Sequence, residues 1–354
     1  MNVVSLARHA MATRFEIVLY GDNVVALRAA GEEAMDEICR LENQLSLYRA
    51  TSEIAQLNAR AAREPVRVTP ELFSLLQHAA KLSAETEGAF DITVAPLVRC
   101  WGFMGGNSAP RQRMNGPTPD LSWEGSGVGW SATDGRVPTD EDLAAARDVV
   151  GMRLVELSER ECSVRFARPG VMLDLGAIGK GYAVERAATV LLEAGVTSAL
   201  LHGGTSTLRA IGAPPDAKGW KIAVNLPVAP ERRSPTRLDT DQKHAGSETG
   251  APVVFELRNE SLSVSAVWGR SFESRGETFG HVIDPRTGRP VSGAVLAAVV
   301  LPSATETDAL STALMVSGYA GGRVLSELRP QVKTLLVMTD GERLGIERRG
   351  FPPA

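Results

Sequence analysis

Residues 174–183, DLGAIGKGYA, place one carboxylate, one ammonium group and three glycines within ten positions. Glycines let the backbone approach a ligand closely and expose its N–H and carbonyl groups. We expect Lys180 to stand just before a helix N-terminus, where anions are favoured. The segment therefore predicts a bend that binds a phosphate, although its spacing differs from the G-x-x-x-x-G-K-[ST] phosphate loop. A glycine-rich turn with an Asp174–Lys180 ion pair explains the same residues equally well.

A second candidate site lies in a late helix, ATETDALSTALMVSG (304–318). Asp308 and Thr312 are four residues apart, so both side chains lie on one helix face. Carboxylate and hydroxyl oxygens are hard ligands of the kind that Mg²⁺ prefers, completed by waters, phosphate oxygens or backbone carbonyls. The alternative is structural, because Thr305-x-x-Asp308 also fits a capping box in which Asp308 merely closes the helix start.

Two further segments combine polar and apolar residues. Asp91 lies in a strand-like apolar run of ETEGAFDITVAPLVRCWGF (85–103), where a buried carboxylate needs a partner. That partner is either a base or sugar of a ligand, or a neighbouring loop. In FGHVIDPRTGRPV (279–291), His281 precedes turn-forming residues that begin at Asp284. A histidine in this position is a candidate base, and a structural role is the commoner alternative.

The elements that must position these residues mix helices and strands without a regular βαβ repeat. Helical periodicity and capping signals predict helices over residues 24–45, 69–85, 139–150, 182–194 and 307–317. Alternating or β-branched runs predict strands over residues 13–20, 198–201, 220–226, 253–257, 261–265, 297–301 and 334–338. We therefore predict an α+β fold, with antiparallel or mixed sheets faced by helices.

The composition and charge of the chain exclude some classes of function. The chain has 354 residues, 44% of them hydrophobic, and a formal net charge of −4, which argues against nucleic acid as a main partner. Its three cysteines have no metal-ligand spacing. We see no signal peptide, no lipid-attachment cysteine and no apolar run long enough for a transmembrane segment, so we expect a cytoplasmic protein. We predict a single domain over residues 1–354, with or without two subdomains, and loop insertions near 104–138 and 229–251.

Taken in order, six blocks of the sequence resemble the ApbE-type FAD:protein FMN transferases. The blocks are MATRFEIVLYG, LENQLSLYRATSEIAQLNA, TEGAFDITVAPLVRCWGF, MLDLGAIGKGYAVERAATVLLEAGV, HVIDPRTGRPV and TETDALSTALMVSG. The resemblance implies an ApbE-like, T-fold-related architecture. It also implies Mg²⁺-dependent cleavage of the FAD pyrophosphate, transfer of FMN to a threonine or serine of an acceptor flavoprotein subunit, and release of AMP. A FAD pyrophosphatase that forms FMN and AMP, and a catalytically silent FAD-binding protein, are the alternatives.

The resemblance also implies roles for individual residues. The metal ligands would be the Ala177 backbone carbonyl, Asp308 and Thr312, so the bend and the late helix should lie together around the cation. The catalytic residues would be Asp308, Lys180 and His281, with His281 as the base near the acceptor hydroxyl. The FAD-binding residues would be Met11, Tyr48, Asn58, Ala89, Phe90, Asp91, Asp174, Lys180, His281 and Val282.

Some positions depart from the family pattern. Residues 205–207, Thr-Ser-Thr, follow two glycines at a place where the family usually carries an acidic residue. His202 stands where asparagine is frequent, Glu185 replaces a usual aspartate, and GAIGKG replaces the commoner GGIAKG. These differences leave the implied metal ligands intact, and we expect them to alter the shape of the flavin pocket.

Overall fold

The computed structural model describes residues 1–104, 135–227, 249–267, 271–340 and 343–351, without the side chains of 249–251. The strands are β1 (Asn2–Ala10), β2 (Thr13–Gly21), β3 (Val66–Arg67), β4 (Val155–Ser158), β5 (Ser163–Phe166), β6 (Ala199–Gly203), β7 (Thr207–Ile211), β8 (Trp220–Pro227), β9 (Thr249–Leu257), β10 (Ser261–Ala266), β11 (Ser271–Ser274), β12 (Glu277–Gly280), β13 (Ala294–Leu301), β14 (Lys333–Thr339) and β15 (Leu344–Arg349). The helices are α1 (Val24–Leu45), α2 (Glu53–Arg60), α3 (Pro70–Glu85), α4 (Ala95–Cys100), α5 (Asp140–Asp148), α6 (Gly179–Glu193) and α7 (Ala304–Leu328), and a 3₁₀ turn spans Met152–Leu154.

An eight-stranded sheet in the order β1-β2-β6-β7-β10-β13-β14-β15 forms the centre of the fold. Every neighbouring pair in it is antiparallel. The small sheets are β3-β5-β4, β8-β9 and β11-β12. The architecture is α+β as predicted, and the central sheet is purely antiparallel.

Helices cover one face of the central sheet, and the β8–β9 ribbon covers part of the other. Strand β13 shows this directly, because alternate residues enter two different hydrophobic clusters. Val299 packs in the large cluster with residues of α1, α6 and α7, whereas Val300 packs with Trp220 and Phe255 of the ribbon. Burial on both faces explains why β13 reads AVLAAVVL, an almost continuous apolar run.

A third, smaller cluster joins α4 and α5 to the β11–β12 hairpin. Trp101 and Phe272 are its largest buried side chains, and Phe103 and Phe279 pack against them. The ring centroids of Trp101 and Phe279 lie 5.3 Å apart, within the range of favourable aromatic contacts. The hairpin and the segment that follows it, which contains His281, are therefore anchored on α4.

Several element boundaries differ from the prediction. Helix α6 begins at Gly179, so Lys180 lies inside its first turn rather than before it. Helix α7 continues to Leu328, with a kink at Gly318 where φ is 59° and ψ is −143°. The glycine therefore bends the helix rather than ending it.

Two other expectations also need correction. Asp91 lies in a turn between α3 and α4, not in a strand. The backbone of residues 249–251 belongs to β9, whereas most of the predicted loops near 104–138 and 229–251 lies outside the described residues. No helix in the described part of the chain is long and apolar enough to cross a membrane.

A charged cluster fastens α7 to α3. The Arg329 guanidinium, just past the end of α7, lies 2.8 Å from Glu85 and 2.9 Å from Glu306. His78 of α3 lies 3.5 Å from Glu306. Hydrogen bonds with His78 and Arg329 lower the pKa of the Glu306 carboxyl from 4.5 to about 2, although partial burial opposes that shift.

We predict that this cluster makes stability depend on pH. Because the folded-state pKa of Glu306 is lowered, its stabilising contribution is complete above pH 4.5 and is lost as the pH falls towards about 2. Glu306→Gln should lower the free energy of unfolding near neutral pH by about 2 kcal/mol and should remove part of that acid dependence. Urea unfolding at a series of pH values measures both effects.

The matched control is Glu64→Gln, which breaks the exposed Arg60–Glu64 pair of 2.7 Å. That change should cost less than about 0.5 kcal/mol. Equal effects of the two substitutions would show that the Arg329 cluster adds nothing to an ordinary surface pair.

Candidate active site

Asp308 joins two segments that are far apart in the sequence. Its side chain is buried, with an exposed fraction of 5%. Oδ2 accepts a 2.9 Å hydrogen bond from the Gly181 N–H in the first turn of α6. Oδ1 accepts a 3.0 Å hydrogen bond from the Thr207 hydroxyl on β7. The glycine-rich bend and the late helix therefore lie together, as expected.

The capping alternative for Asp308 is wrong. The N-cap of α7 is Ser303, whose side chain accepts the Glu306 N–H at 3.2 Å. Asp308 instead caps a different helix, because its carboxylate faces the N-terminus of α6, where N–H groups lack intrahelical partners.

The contact between the two helix starts is reciprocal. Glu185 Oε2, on α6, accepts the Ser303 hydroxyl at 2.7 Å and the Thr305 N–H at 2.8 Å. A backbone N–H in the first turn of each helix therefore donates to a carboxylate of the other helix. On β7, Arg209 donates to the Pro302 carbonyl at 2.6 Å and further fixes the start of α7. Its burial lowers the pKa of the guanidinium.

Gly181 allows the helices to approach this closely. A Cβ atom at this position would lie 2.2 Å from the Ala304 carbonyl oxygen and 2.6 Å from the Asp308 Cβ. Both distances are far below normal contact, so no other residue fits without moving a helix.

Three residues make further hydrogen bonds that hold the bend. Asn58 of α2 makes two hydrogen bonds with the Leu173 backbone, as donor at 3.0 Å and as acceptor at 2.8 Å. The Asp174 N–H donates to the Ile92 carbonyl at 2.7 Å, and its side chain accepts the Gly176 N–H at 2.8 Å. The Lys180 ammonium donates to the Gly176 carbonyl at 3.0 Å, which keeps its charge over the bend.

The predicted contacts of residues 89–91 with FAD stay predictions. Ala89 and Phe90 are each 1% exposed and lie in the core, so this structure presents neither residue at the surface. The Asp91 carboxylate accepts the Thr93 N–H and hydroxyl at 2.8 and 2.6 Å and the Met152 N–H at 3.0 Å. These bonds favour the structural alternative for this carboxylate.

Glu42 links two other segments predicted to bind FAD. Met11 and Ala12 form a two-residue hairpin turn with φ values of 49° and 58°, a strained conformation for residues other than glycine. Glu42 accepts the Met11 N–H at 3.0 Å and pairs with Arg49 at 3.4 Å. The neighbouring Tyr48 is 75% exposed, so its ring presents a surface to solvent.

His281 and Val282 lie in the segment after β12, and both are half-buried. The Val282 carbonyl accepts the Val291 N–H at 2.9 Å, which closes the loop that contains the DPRTG turn. Trp101 donates its indole N–H to the Gly288 carbonyl at 2.8 Å. The segment is thus fixed to α4 and is not part of the hydrogen bonds around Asp308 described above.

Two cavities of the described structure are lined by none of the predicted site residues. One of about 120 Å³ lies where three predicted segments meet, between Glu87, Arg286 and residues 313–317. It is smaller than a typical ligand pocket, so it accommodates only part of a dinucleotide. A larger groove of about 380 Å³ between α2 and β3 contains none of the predicted site residues. We therefore place the site by its chemistry rather than by cavity size.

Comparison with known proteins identifies the family. The sequence matches the model of the ApbE family over residues 11–336. The chain belongs to the ApbE family. An FAD:protein FMN transferase of Vibrio cholerae is 28% identical over 339 residues, covering 95% of this chain and 88% of the relative. One of Rhodobacter capsulatus is 31% identical over 274 residues, covering 76% and 43%.

Solved structures agree with this ApbE family assignment. The flavin transferase ApbE from Vibrio cholerae superposes with a TM-score of 0.76 and 26% identity, covering 99% of this chain and 98% of that one. The apo flavinyl transferase ApbE of Pseudomonas stutzeri gives a TM-score of 0.75 and 27% identity, covering 98% and 94%. The resemblance and the α+β fold predicted from the sequence are confirmed.

Sequence reasoning missed residues that hold this ApbE site together. The sequence presents Gly181 only as one of three glycines in the bend, and Thr207 and Glu185 only as departures from the family pattern. One signal was available in β10, whose sequence SLSVSA places serines at alternate positions. Ser261 and Ser263 are fully buried, so the polar face of this strand points towards α7 rather than towards water.

We predict that Gly181→Ala is strongly destabilising. The added methyl group would have to displace the Ala304 backbone, which should cost about 3 kcal/mol despite the better helix propensity of alanine. The control is Gly179→Ala in the same turn, whose Cβ would meet only Leu175 at 3.6 Å. Thermal unfolding of both variants tests this, and equal midpoints would contradict the close packing of α6 on α7.

Proposed function

We propose that this chain is a Mg²⁺-dependent FAD:protein FMN transferase. The family assignment and the curated relatives of that name support this activity. The observation that carries the proposal is the buried Asp308 carboxylate, held between the glycine-rich bend and β7 at the start of two helices.

The residues around Asp308 fit a magnesium ion. Each of its carboxylate oxygens accepts one hydrogen bond, so each keeps a further lone pair for a metal. Thr312 is half-buried one turn later. The Gly181 N–H is directed to Asp308, so it does not close a helical bond onto the Ala177 carbonyl.

The composition of the site also favours magnesium over softer metals. No group of three or more His, Cys, Asp or Glu side chains that could hold a metal occurs among the described residues. One carboxylate with a hydroxyl and a carbonyl suits Mg²⁺, which keeps several waters and takes substrate phosphates as ligands. When bound, Mg²⁺ would neutralise pyrophosphate charge and stabilise AMP as the leaving group.

Lys180 and the start of α6 would bind the pyrophosphate. The lysine lies in the first turn of the helix, where the positive end of the helix dipole favours an anion. Its ammonium now rests on the Gly176 carbonyl and would exchange that partner for a phosphate oxygen. Asp174 and Asn58 would keep the bend in shape rather than act on the phosphate.

In the proposed transfer, the hydroxyl oxygen of an acceptor threonine or serine bonds to the phosphorus of the FMN half. The bond between that phosphorus and the bridging oxygen of the pyrophosphate breaks. AMP leaves with this oxygen and with the electron pair of the bond. His281 would accept the hydroxyl proton, which is the role expected of a general base. Met11 and the exposed ring of Tyr48 would contact the flavin or the adenine.

The decisive test combines the purified chain, FAD, Mg²⁺ and a threonine-bearing acceptor protein. We expect the acceptor to gain the mass of FMN and one AMP to be released for each FMN attached. Free FMN and AMP without acceptor would indicate a pyrophosphatase. FAD that stays intact under all conditions would contradict the proposal.

We predict that Asp308→Asn lowers Mg²⁺-dependent AMP release at least 100-fold, because the amide keeps the shape of the carboxylate but not its charge. FAD binding, followed by flavin fluorescence, should change much less. Glu306→Gln is the control, since it also neutralises an acid of α7 but lies in the Arg329 cluster. If Asp308→Asn retains the rate of that control, Asp308 is only a helix cap.

A further inference from the structure

A chain of buried hydroxyl groups runs from the start of α7 across β10 to β7. The Thr307 hydroxyl donates to the Ala304 carbonyl at 3.1 Å. The Ser263 hydroxyl contacts Thr307 at 2.8 Å and Thr207 at 3.2 Å. Thr207 in turn reaches Asp308 Oδ1 at 3.0 Å. Thr207 is 1% exposed, and Ser263 and Thr307 are completely buried.

The direction of these hydrogen bonds follows from the number of protons. Each hydroxyl group has one proton to donate, and a carbonyl or an ionised carboxylate only accepts. Thr307 donates its proton to the Ala304 carbonyl, so it accepts the proton of Ser263. Thr307 is also the nearer of the two hydroxyls beside Ser263, at 2.8 Å. Thr207 then has two acceptors for its one proton, Ser263 at 3.2 Å and Asp308 at 3.0 Å, and it donates to the ionised carboxylate because that acceptor is closer and stronger.

The two donors to Asp308 bond to different oxygens of its carboxylate. The Gly181 N–H occupies one position on Oδ2, and the Thr207 hydroxyl occupies one on Oδ1. Two fixed donors on different oxygens prevent rotation of the carboxylate about its Cβ–Cγ bond. They leave the remaining lone pairs pointing in fixed directions.

We propose that Thr207 is a positioning residue that orients Asp308 for a divalent cation. This inference rests on the proposed function, since it concerns the same site. Outer hydrogen-bond partners of metal ligands commonly contribute 10- to 100-fold to metal affinity, because they fix the ligand in its binding geometry. The Thr-Ser-Thr run that departs from the family pattern thus supplies a hydroxyl where the site needs a donor.

The test compares three variants of the full chain. Thr207→Val keeps the shape of the side chain and removes its hydroxyl, and Thr207→Ser keeps the hydroxyl. Thr307→Val is the matched control, because it makes the same change in the same buried chain without removing a hydrogen bond to the Asp308 carboxylate. Thermal unfolding of all three shows whether any difference in stability separates them.

Two readouts report on the position of Asp308 without measuring turnover. Binding of Mn²⁺ alone is measured from the electron paramagnetic resonance signal of the free ion. Hydrogen exchange of the Gly181 amide is followed by mass spectrometry of the peptide that contains it. In Thr207→Val we expect Mn²⁺ affinity to fall about 10- to 100-fold and the Gly181 amide to exchange faster. Thr207→Ser and Thr307→Val should stay within about 3-fold of the wild type in both.

If either readout stays at its wild-type value in Thr207→Val, or moves equally in Thr307→Val, the proposal is overturned. AMP release by the wild-type chain is measured separately. If the wild-type chain releases AMP and Thr207→Val leaves Mn²⁺ affinity and Gly181 exchange unchanged, only the proposed role of Thr207 is refuted. A chain that loses Mn²⁺ affinity in Thr207→Val but never cleaves FAD refutes only the proposed function.

Discussion

Helices α6 and α7 begin next to each other, and the first turn of each accepts contact from a carboxylate side chain of the other. Asp308 of α7 accepts the Gly181 N–H, and Glu185 of α6 accepts the Thr305 N–H. The first N–H groups of a helix have no partner within it, so these carboxylates satisfy donors and also oppose the positive end of each dipole. A glycine at position 181 is required because any Cβ there would overlap the Ala304 backbone. The carboxylate that we propose as a metal ligand is therefore also part of the framework.

Other polar side chains hold segments in place around the contact between the starts of α6 and α7. Asn58 fixes the bend through the Leu173 backbone, and Asp91 ties its own turn to Met152. Trp101 fixes the loop that follows His281. Buried polar groups need partners, and here each of these three side chains bonds to a backbone group outside the strands and α-helices. These bonds connect the segments around the site, whereas Tyr48 is exposed and the Lys180 ammonium donates to the Gly176 carbonyl.

Local signals in the sequence predict much of this fold. The periodicity of the apolar residues predicts α1 from Val24 to Leu45, and the structure has the same bounds with Asn23 as the N-cap. The predicted start of α6 is wrong because glycines at 179 and 181 are poor helix formers, and only at Gly181 does packing against α7 require a glycine. The spacing of Asp308 and Thr312 indicates a shared helix face, but it does not give their partners. Thr207 lies 101 residues from Asp308, and only the order of the strands, which the sequence does not reveal, brings them together.

The central claim is that Asp308 binds a divalent cation where the bend meets α7. Anomalous diffraction from crystals grown with Mn²⁺ and FAD tests it most directly. We expect one strong manganese peak about 2.1 Å from an Asp308 oxygen, with the Thr312 hydroxyl, the Ala177 carbonyl and pyrophosphate oxygens around it. A manganese peak elsewhere, with Asp308 bonded only to Gly181 and Thr207, would contradict the claim.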